Sequence, residues 1–96
     1  MTVREIARIE VPAGQEAGFE AGFKEARPLF ERAAGCLGAS LHRGIENPQR
    51  YLLVVEWETV EHHTVQFRES ADFGRWRELV GGYFATTPQV EHVTEV

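Results

Sequence analysis

His63 is the residue in this chain best suited to moving a proton. Between Thr59 and Phe67 the positions Val60, His63, Thr64 and Phe67 recur three or four apart, which sets them on one face of a helix. An imidazole on such an inward face titrates near neutrality and can accept or release a proton. The same spacing also suits a core histidine bonded to a backbone carbonyl. His62 lies about a hundred degrees round the helix and is expected to meet solvent. Arg77, beside Trp76, offers a permanently charged planar fork that could hold a phenolate or carboxylate at the rim of an apolar cleft; a solvated surface arginine is the plainer alternative. Trp57 ends the apolar run that precedes His63. With Phe67, Phe73, Trp76, Tyr83 and Phe84 it makes the second half of the chain aromatic. Such rings line either a pocket for a flat polycyclic ligand or an ordinary core.

Metal and cofactor motifs are missing from the sequence. His62 and His63 are adjacent and diverge on a helix, no HExxH or paired Glu-x-x-His pattern occurs, and His42 and His92 belong to strands expected at opposite sheet edges. A phosphate-cradling GxxxxGK[ST], a dinucleotide GxGxxG and a GxSxG elbow are equally absent. The expectation is therefore no metal and no cofactor, with any redox chemistry drawing its electrons from the substrate. Cys36 is the single cysteine, which rules out an internal disulfide and suits a small buried thiol.

The elements that must position these groups are legible from periodicity. Val3, Ala7, Ile9 and Val11 alternate with Arg4, Arg8 and Glu10, the pattern of a half-covered strand, and Pro12-Ala13-Gly14 ends it. From Gln15 the period changes: Phe19, Phe23, Ala26, Phe30 and Ala33 form one helical stripe, with Pro28 expected to bend the helix and Gly35 to stop it. Residues 36–45 read as a second strand, with Leu37, Ala39, Leu41 and Ile45 on one side. Turn residues Glu46-Asn47-Pro48-Gln49 join it in a hairpin to a third strand, 51–58, whose apolarity on both faces makes it central. Thr59 and Ser70 are suited to cap two short helices, the second carrying Phe73, Trp76, Val80 and Phe84. Residues 88–96 supply a last strand with Val90, His92, Thr94 and Val96 on one face. The order βαββαβ, with helices on one face of a mainly antiparallel sheet, is the ferredoxin-like α+β arrangement.

Ninety-six residues make one domain, 1–96, and a chain this short gains from self-association. The uncovered sheet face would expose Leu52 and Val54 or Leu53 and Val55, so a homodimer pairing two sheets is expected. A net charge of -5 with scattered basic residues argues against nucleic acid and anionic membrane surfaces. Charges at Arg4, Glu5, Arg8 and Glu10 break any signal-like apolar stretch, and no run approaches a membrane span; a cytoplasmic protein is expected.

The whole chain resembles the antibiotic biosynthesis monooxygenase family of dimeric α+β barrel proteins. The resemblance rests on Ala7-Arg8-Ile9-Glu10-Val11 with Pro12-x-Gly14, Ala26-Arg27-Pro28-Leu29-Phe30, Gly35-Cys36-Leu37-Gly38 and Glu46-Asn47-Pro48-Gln49-Arg50-Tyr51. It continues through Glu56-Trp57-Glu58, the His63 helix and Ser70-x-x-Phe73. In the quinone-forming members, the resemblance implies, a phenol of a polycyclic substrate is deprotonated, its ring passes an electron to dioxygen, and the hydroperoxide collapses to quinone and water without metal or flavin. Their site combines an Asn and a Trp four apart on the third strand, a Tyr on the next helix and an Arg further on. Laid ungapped here, these fall at Leu53, Trp57, His63 and Arg77, so the Asn and the Tyr are replaced. The resemblance makes His63 a base or proton shuttle and Arg77 the stabiliser of a phenolate or oxyanion. Trp57, Leu53, Phe67, Trp76 and Tyr83 would then bind the small aromatic substrate. A haem-degrading branch relies on an Asn in the first strand and a Trp and a His in the later helices. Ala7, Phe67 and the region of Trp76 and Arg77 stand there instead, so no axial His is supplied. The expected activity is a cofactor-independent monooxygenase on an electron-rich aromatic. A non-catalytic binding or stress-response module, and an isomerase or cyclase using the same pocket, are the alternatives.

Overall fold

The computed structural model describes residues 2–96. Four strands, β1 (Val3–Glu10), β2 (Cys36–Arg43), β3 (Arg50–Trp57) and β4 (Gln89–Val93), form one antiparallel sheet in the order β2-β3-β1-β4. Helix α1 (Glu16–Glu31) connects β1 to β2. A π-helical turn (His62–Phe67) and helix α2 (Ala71–Val80) connect β3 to β4. The fold is ferredoxin-like α+β, and β3, hydrogen-bonded to both β1 and β2, is central as its two-sided apolarity requires.

Alternation decides which side chains meet the helices. Ala7 and Ile9 from β1, Val11 just after it, and Tyr51, Leu53, Val55 and Trp57 from β3 are buried beneath them. The predicted stripe of α1 does the covering: Phe19, Phe23, Ala26 and Phe30 are buried, joined by Leu29, and the helix continues three residues past Pro28. Phe30 lies 4.9 Å from both Phe67 and Trp76, so it ties α1 to the second helical layer. The helices approach closely at Gly22, where a Cβ would stand 2.8 Å from the Leu79 carbonyl oxygen. On the opposite sheet face Ile6, Leu52 and Val54 are half-buried among Arg8, Glu56 and Glu91.

Four details differ from the pattern-based reading. β2 ends at Arg43 and Ile45 is 89% exposed, because Gly44 donates its N–H to the Arg50 carbonyl and the chain has entered the hairpin turn. The Cys36–Gly38 register shift is a bulge that leaves Leu37 half exposed instead of inward. The segment after Thr59 is a π turn, in which the Arg68 N–H reaches back five residues to the His63 carbonyl. Thr59 does cap it, its hydroxyl accepting the His62 backbone N–H. His62 is half-buried: its ring lies over Gly35, where a Cβ would come within 2.3 Å of it, and Gly35 has the positive φ (79°) that ends α1.

Candidate active site

Between the sheet and the helices lies a cavity of about 540 Å³. Leu53, Phe67, Phe73 and Trp76 supply apolar wall, and Arg68 and Arg77, both exposed residues, stand at its edge. Thr86 and Thr87 also line it, and its deeply buried polar groups are Glu5 and His63, respectively 4% and 3% exposed. Among the described residues no other carboxyl, imidazole or basic group is as fully buried.

Each of these groups is placed by its element. Glu5 shares the parity of Val3, Ala7, Ile9 and Val11, so the strand that buries those residues buries its carboxyl too. It sits opposite Val55 on β3 and His92 on β4. His63 is carried inward by the π turn, its ring stacked on Trp57 at 5.5 Å and 17°. Trp57 Nε1–H donates to Glu5 Oε1 at 3.0 Å, and the same oxygen lies 3.3 Å from His63 Nε2. The other nitrogen of that ring, Nδ1, is 2.8 Å from His92 Nε2. Indole, carboxyl, imidazole and imidazole thus make one connected chain from the cavity to edge strand β4.

Burial sets the charge states. Loss of hydration pushes the Glu5 carboxyl up to about 7, against the Trp57 hydrogen bond and the Arg68 charge, which favour the carboxylate. Burial, reinforced by Arg68 and His92, pushes His63 down to about 4, and burial and then Arg68 lower His92. An ion pair between Glu5 and His63 requires an imidazolium, which these shifts disfavour at neutral pH. The 3.3 Å contact therefore sets the carboxyl against a neutral ring, and Glu5 is the group pushed up to about 7. A carboxyl poised there inside an apolar cavity has the properties of a general base or acid.

The structure brings His63, Arg77, Leu53, Phe67 and Trp76 to the cavity. Two expected wall residues stand elsewhere. Trp57 is fully buried behind Glu5 and His63, and it meets the site through its N–H on Glu5 and its ring face on His63 without lining the cavity. Tyr83 lies over Gly18 of α1, where a Cβ would be 2.8 Å from its ring, because the chain turns through a 3₁₀ segment (Gly81–Tyr83) and carries that ring away from the cavity. Glu5 and His92 were not among the expected site residues. Glu5 had a signal, as the one charged residue on the apolar parity of β1. His92 had none short of the strand order, which sets β4 beside β1.

A family model described as antibiotic biosynthesis monooxygenase matches residues 2–79. The chain belongs to that family. Among known proteins it is 38% identical over 94 residues to the uncharacterized protein YczJ of Bacillus subtilis, covering 98% of this chain and 99% of that one. The crystal structure of a candidate antibiotic biosynthesis monooxygenase from Bordetella bronchiseptica superposes with a TM-score of 0.97 at 61% identity, covering 99% of this chain and 97% of that one. A haem oxygenase (mycobilin-producing) of Mycobacterium tuberculosis is 38% identical over 61 residues, 64% of this chain and 58% of the relative.

That last relative raises the question of whether this family member could seat a haem. An axial ligand needs a free ring nitrogen facing the cavity. His63 is the one histidine in the wall; its Nδ1 is bonded to His92 and its Nε2 faces Glu5 Oε1 at 3.3 Å, so neither nitrogen faces open cavity. The residues present therefore do not fit a haem ligated in this cavity. Glu5 and His92 also lie on opposite nitrogens of His63, so the three do not converge on a point. Among the described residues no group of three His, Cys, Asp or Glu could hold a metal ion.

Proposed function

We propose that this family member is a cofactor-independent monooxygenase for an electron-rich polycyclic phenol or anthrone, and that Glu5 is its proton acceptor. The observation that carries this reading is the pairing of a mostly apolar cavity of about 540 Å³ with one buried carboxyl, pushed up to about 7 and 3.3 Å from His63. A flat aromatic fits between Leu53, Phe67 and Trp76, with its oxygen toward Arg68 or Arg77.

For an anthrone the chemistry balances as follows. The ring CH₂ loses one proton to the Glu5 carboxylate, leaving an enolate whose charge the arginines oppose. The enolate passes one electron to dioxygen, and the radical pair joins as a carbon-bound peroxide anion, which takes a proton from water to become the hydroperoxide. Loss of the second ring proton breaks the O–O bond, giving the quinone carbonyl and hydroxide, which takes up a proton to become water. One oxygen atom enters the product and the other leaves as water; the substrate supplies all the electrons.

The test is oxygen uptake and quinone formation with a panel of anthrones and dihydroxyanthracenes. Turnover above the buffer rate, lost in Glu5→Gln, supports the reading. No turnover of any member, or an unchanged rate in Glu5→Gln, removes it. Proton exchange or rearrangement under anaerobic conditions, without oxygen uptake under air, would instead make the same carboxyl the base of an isomerase or cyclase.

The half-buried Ile6, Leu52 and Val54 on the outer sheet face belong, in this reading, to the interface of a homodimer. Sedimentation should give twice the 10.9 kDa chain mass, and Val54→Lys should give the monomer. No helix is long and apolar enough to cross a membrane among the described residues.

A further inference from the structure

A buried base that takes a proton must also release it before the next turnover, and Glu5 is 4% exposed with its ligand side filled when substrate is bound. We propose that Glu5, His63 and His92 form a proton wire from the cavity to the edge of the sheet, along which a proton leaves by single hydrogen-bond hops while His63 changes tautomer and never becomes charged.

Two arrangements of the protons are compatible with this row of side chains. With Glu5 ionised, its Oε1 accepts from Trp57 Nε1–H, His63 carries its hydrogen on Nε2, 3.3 Å from that oxygen, and His63 Nδ1 accepts from His92 Nε2–H. With Glu5 protonated, its O–H donates to His63 Nε2, and His63 Nδ1–H donates to His92 Nε2. The step that links them moves the Glu5 proton to His63 Nε2, the His63 Nδ1 proton to His92 Nε2, and the His92 Nδ1 proton to water. One proton enters at the carboxyl and one leaves at the edge strand, so atoms and charge balance. The N–N separation of 2.8 Å is a hydrogen-bonding distance, and the N–O separation of 3.3 Å needs only a few tenths of an ångström of side-chain movement to become one. His92 is half-buried on β4, an edge strand, and its register opposite Glu5 holds it on the helix-covered face.

The charges around the wire fit this role. Arg68, from the end of the π turn, acts on all three groups: it opposes a positive charge on either ring and favours the Glu5 carboxylate. A neutral relay ring is what the wire requires. Trp57 Nε1–H faces Glu5 from β3, the Cys36 thiol on β2 is close enough to feel the Glu5 charge, and Arg77 stands across the cavity on α2.

The wire can be tested apart from turnover, although its use in catalysis rests on the oxygenase reading. Long-range ¹H–¹⁵N correlation on ¹⁵N-histidine protein, without substrate, reports which His63 nitrogen carries hydrogen. The expected result is a switch from Nδ1–H to Nε2–H as pH rises through neutrality, with no imidazolium between pH 6 and 9. In Glu5→Gln, whose amide can only donate or accept without titrating, the switch should vanish. A His63 that stays in one tautomer across that range, or that becomes an imidazolium within it, overturns the wire, and the wild-type protein alone decides this. In turnover, His92→Leu should make the rate depend on buffer concentration, with at least a threefold recovery on adding imidazole; a rate insensitive to both contradicts the use of the wire. A tautomer switch with no oxygen uptake would keep the wire and remove the oxygenase reading, and the reverse result would do the opposite.

Discussion

Tyr51 and Glu5 are two polar side chains brought under the helices by neighbouring strands, and they end in opposite chemical states. Tyr51, on β3, is 1% exposed, but its hydroxyl reaches out to the Glu20 carboxylate, with Phe19 edge-on at 4.9 Å and Arg43 over the ring. Burial and then the Glu20 hydrogen bond push it up to about 12, so it remains a fixed donor at any working pH. Glu5, on β1, meets only a neutral indole, a neutral imidazole and an arginine at the cavity edge, and it is pushed up only to about 7. The same physical cause, loss of hydration, locks one end of the core and leaves the other poised. What separates them is the number of protons each can exchange near neutrality: none for Tyr51 and one for Glu5.

The largest test of that contrast is kinetic. Glu5→Gln should lower turnover of a reactive anthrone by about 10²- to 10⁴-fold, the usual worth of a positioned base, while Tyr51→Phe should leave it within about twofold. Steady-state oxygen uptake measures both. Comparable losses in the two variants would erase the distinction.

A second test uses stability against pH. The raised Glu5 carboxyl binds its proton more tightly when folded, so its contribution is full below the unfolded value near 4.5 and is lost as pH rises to about 7. The lowered His63 does the reverse: its contribution is full above 6.5 and is lost as pH falls to about 4. In the wild type the two slopes oppose each other between 4.5 and 6.5. His63→Gln should therefore make stability fall with rising pH across that window, and Glu5→Gln should make it rise, by at most about 1.4 kcal/mol per pH unit. Urea unfolding at half-unit pH intervals measures it; parallel slopes in the two variants would contradict the opposed shifts. Tyr51→Phe should change stability by about 1 kcal/mol without altering the slope in this window.

Smaller effects sharpen the site. Arg77 is exposed at the cavity edge, so Arg77→Ala should raise KM about fivefold for an anionic substrate, about 1 kcal/mol, with kcat changing less. Trp57→Phe removes the N–H that holds the Glu5 carboxylate down, so the pH midpoint for activity should move upward. A downward move would mean that the indole acts by packing alone.

Much of this molecule is written in periodicity. The α1 stripe, the central β3, the Ser70 cap and the ferredoxin-like strand order follow from residue spacing, because one face of each element has to be covered. His63 was legible for the same reason, as a polar residue at an inward position. Its partners were harder to see. Glu5 stands on the apolar parity of β1, yet a single Glu in a strand otherwise alternating with Arg and Glu passes for part of the charged face. His92 becomes relevant only through the pairing of β4 with β1, a contact between residues 87 positions apart in the chain. Tyr83 was misplaced because aromatic composition carries no direction, and the 3₁₀ turn that redirects it has no periodic signature.

The most direct test of the account is the titration of Glu5 itself. In protein labelled with ¹³C at the glutamate carboxyl, and with Glu5→Gln to assign the resonance, the signal should move with a midpoint near 7. A midpoint near 4.5, the value of an ordinary glutamate, would contradict a poised base in the cavity.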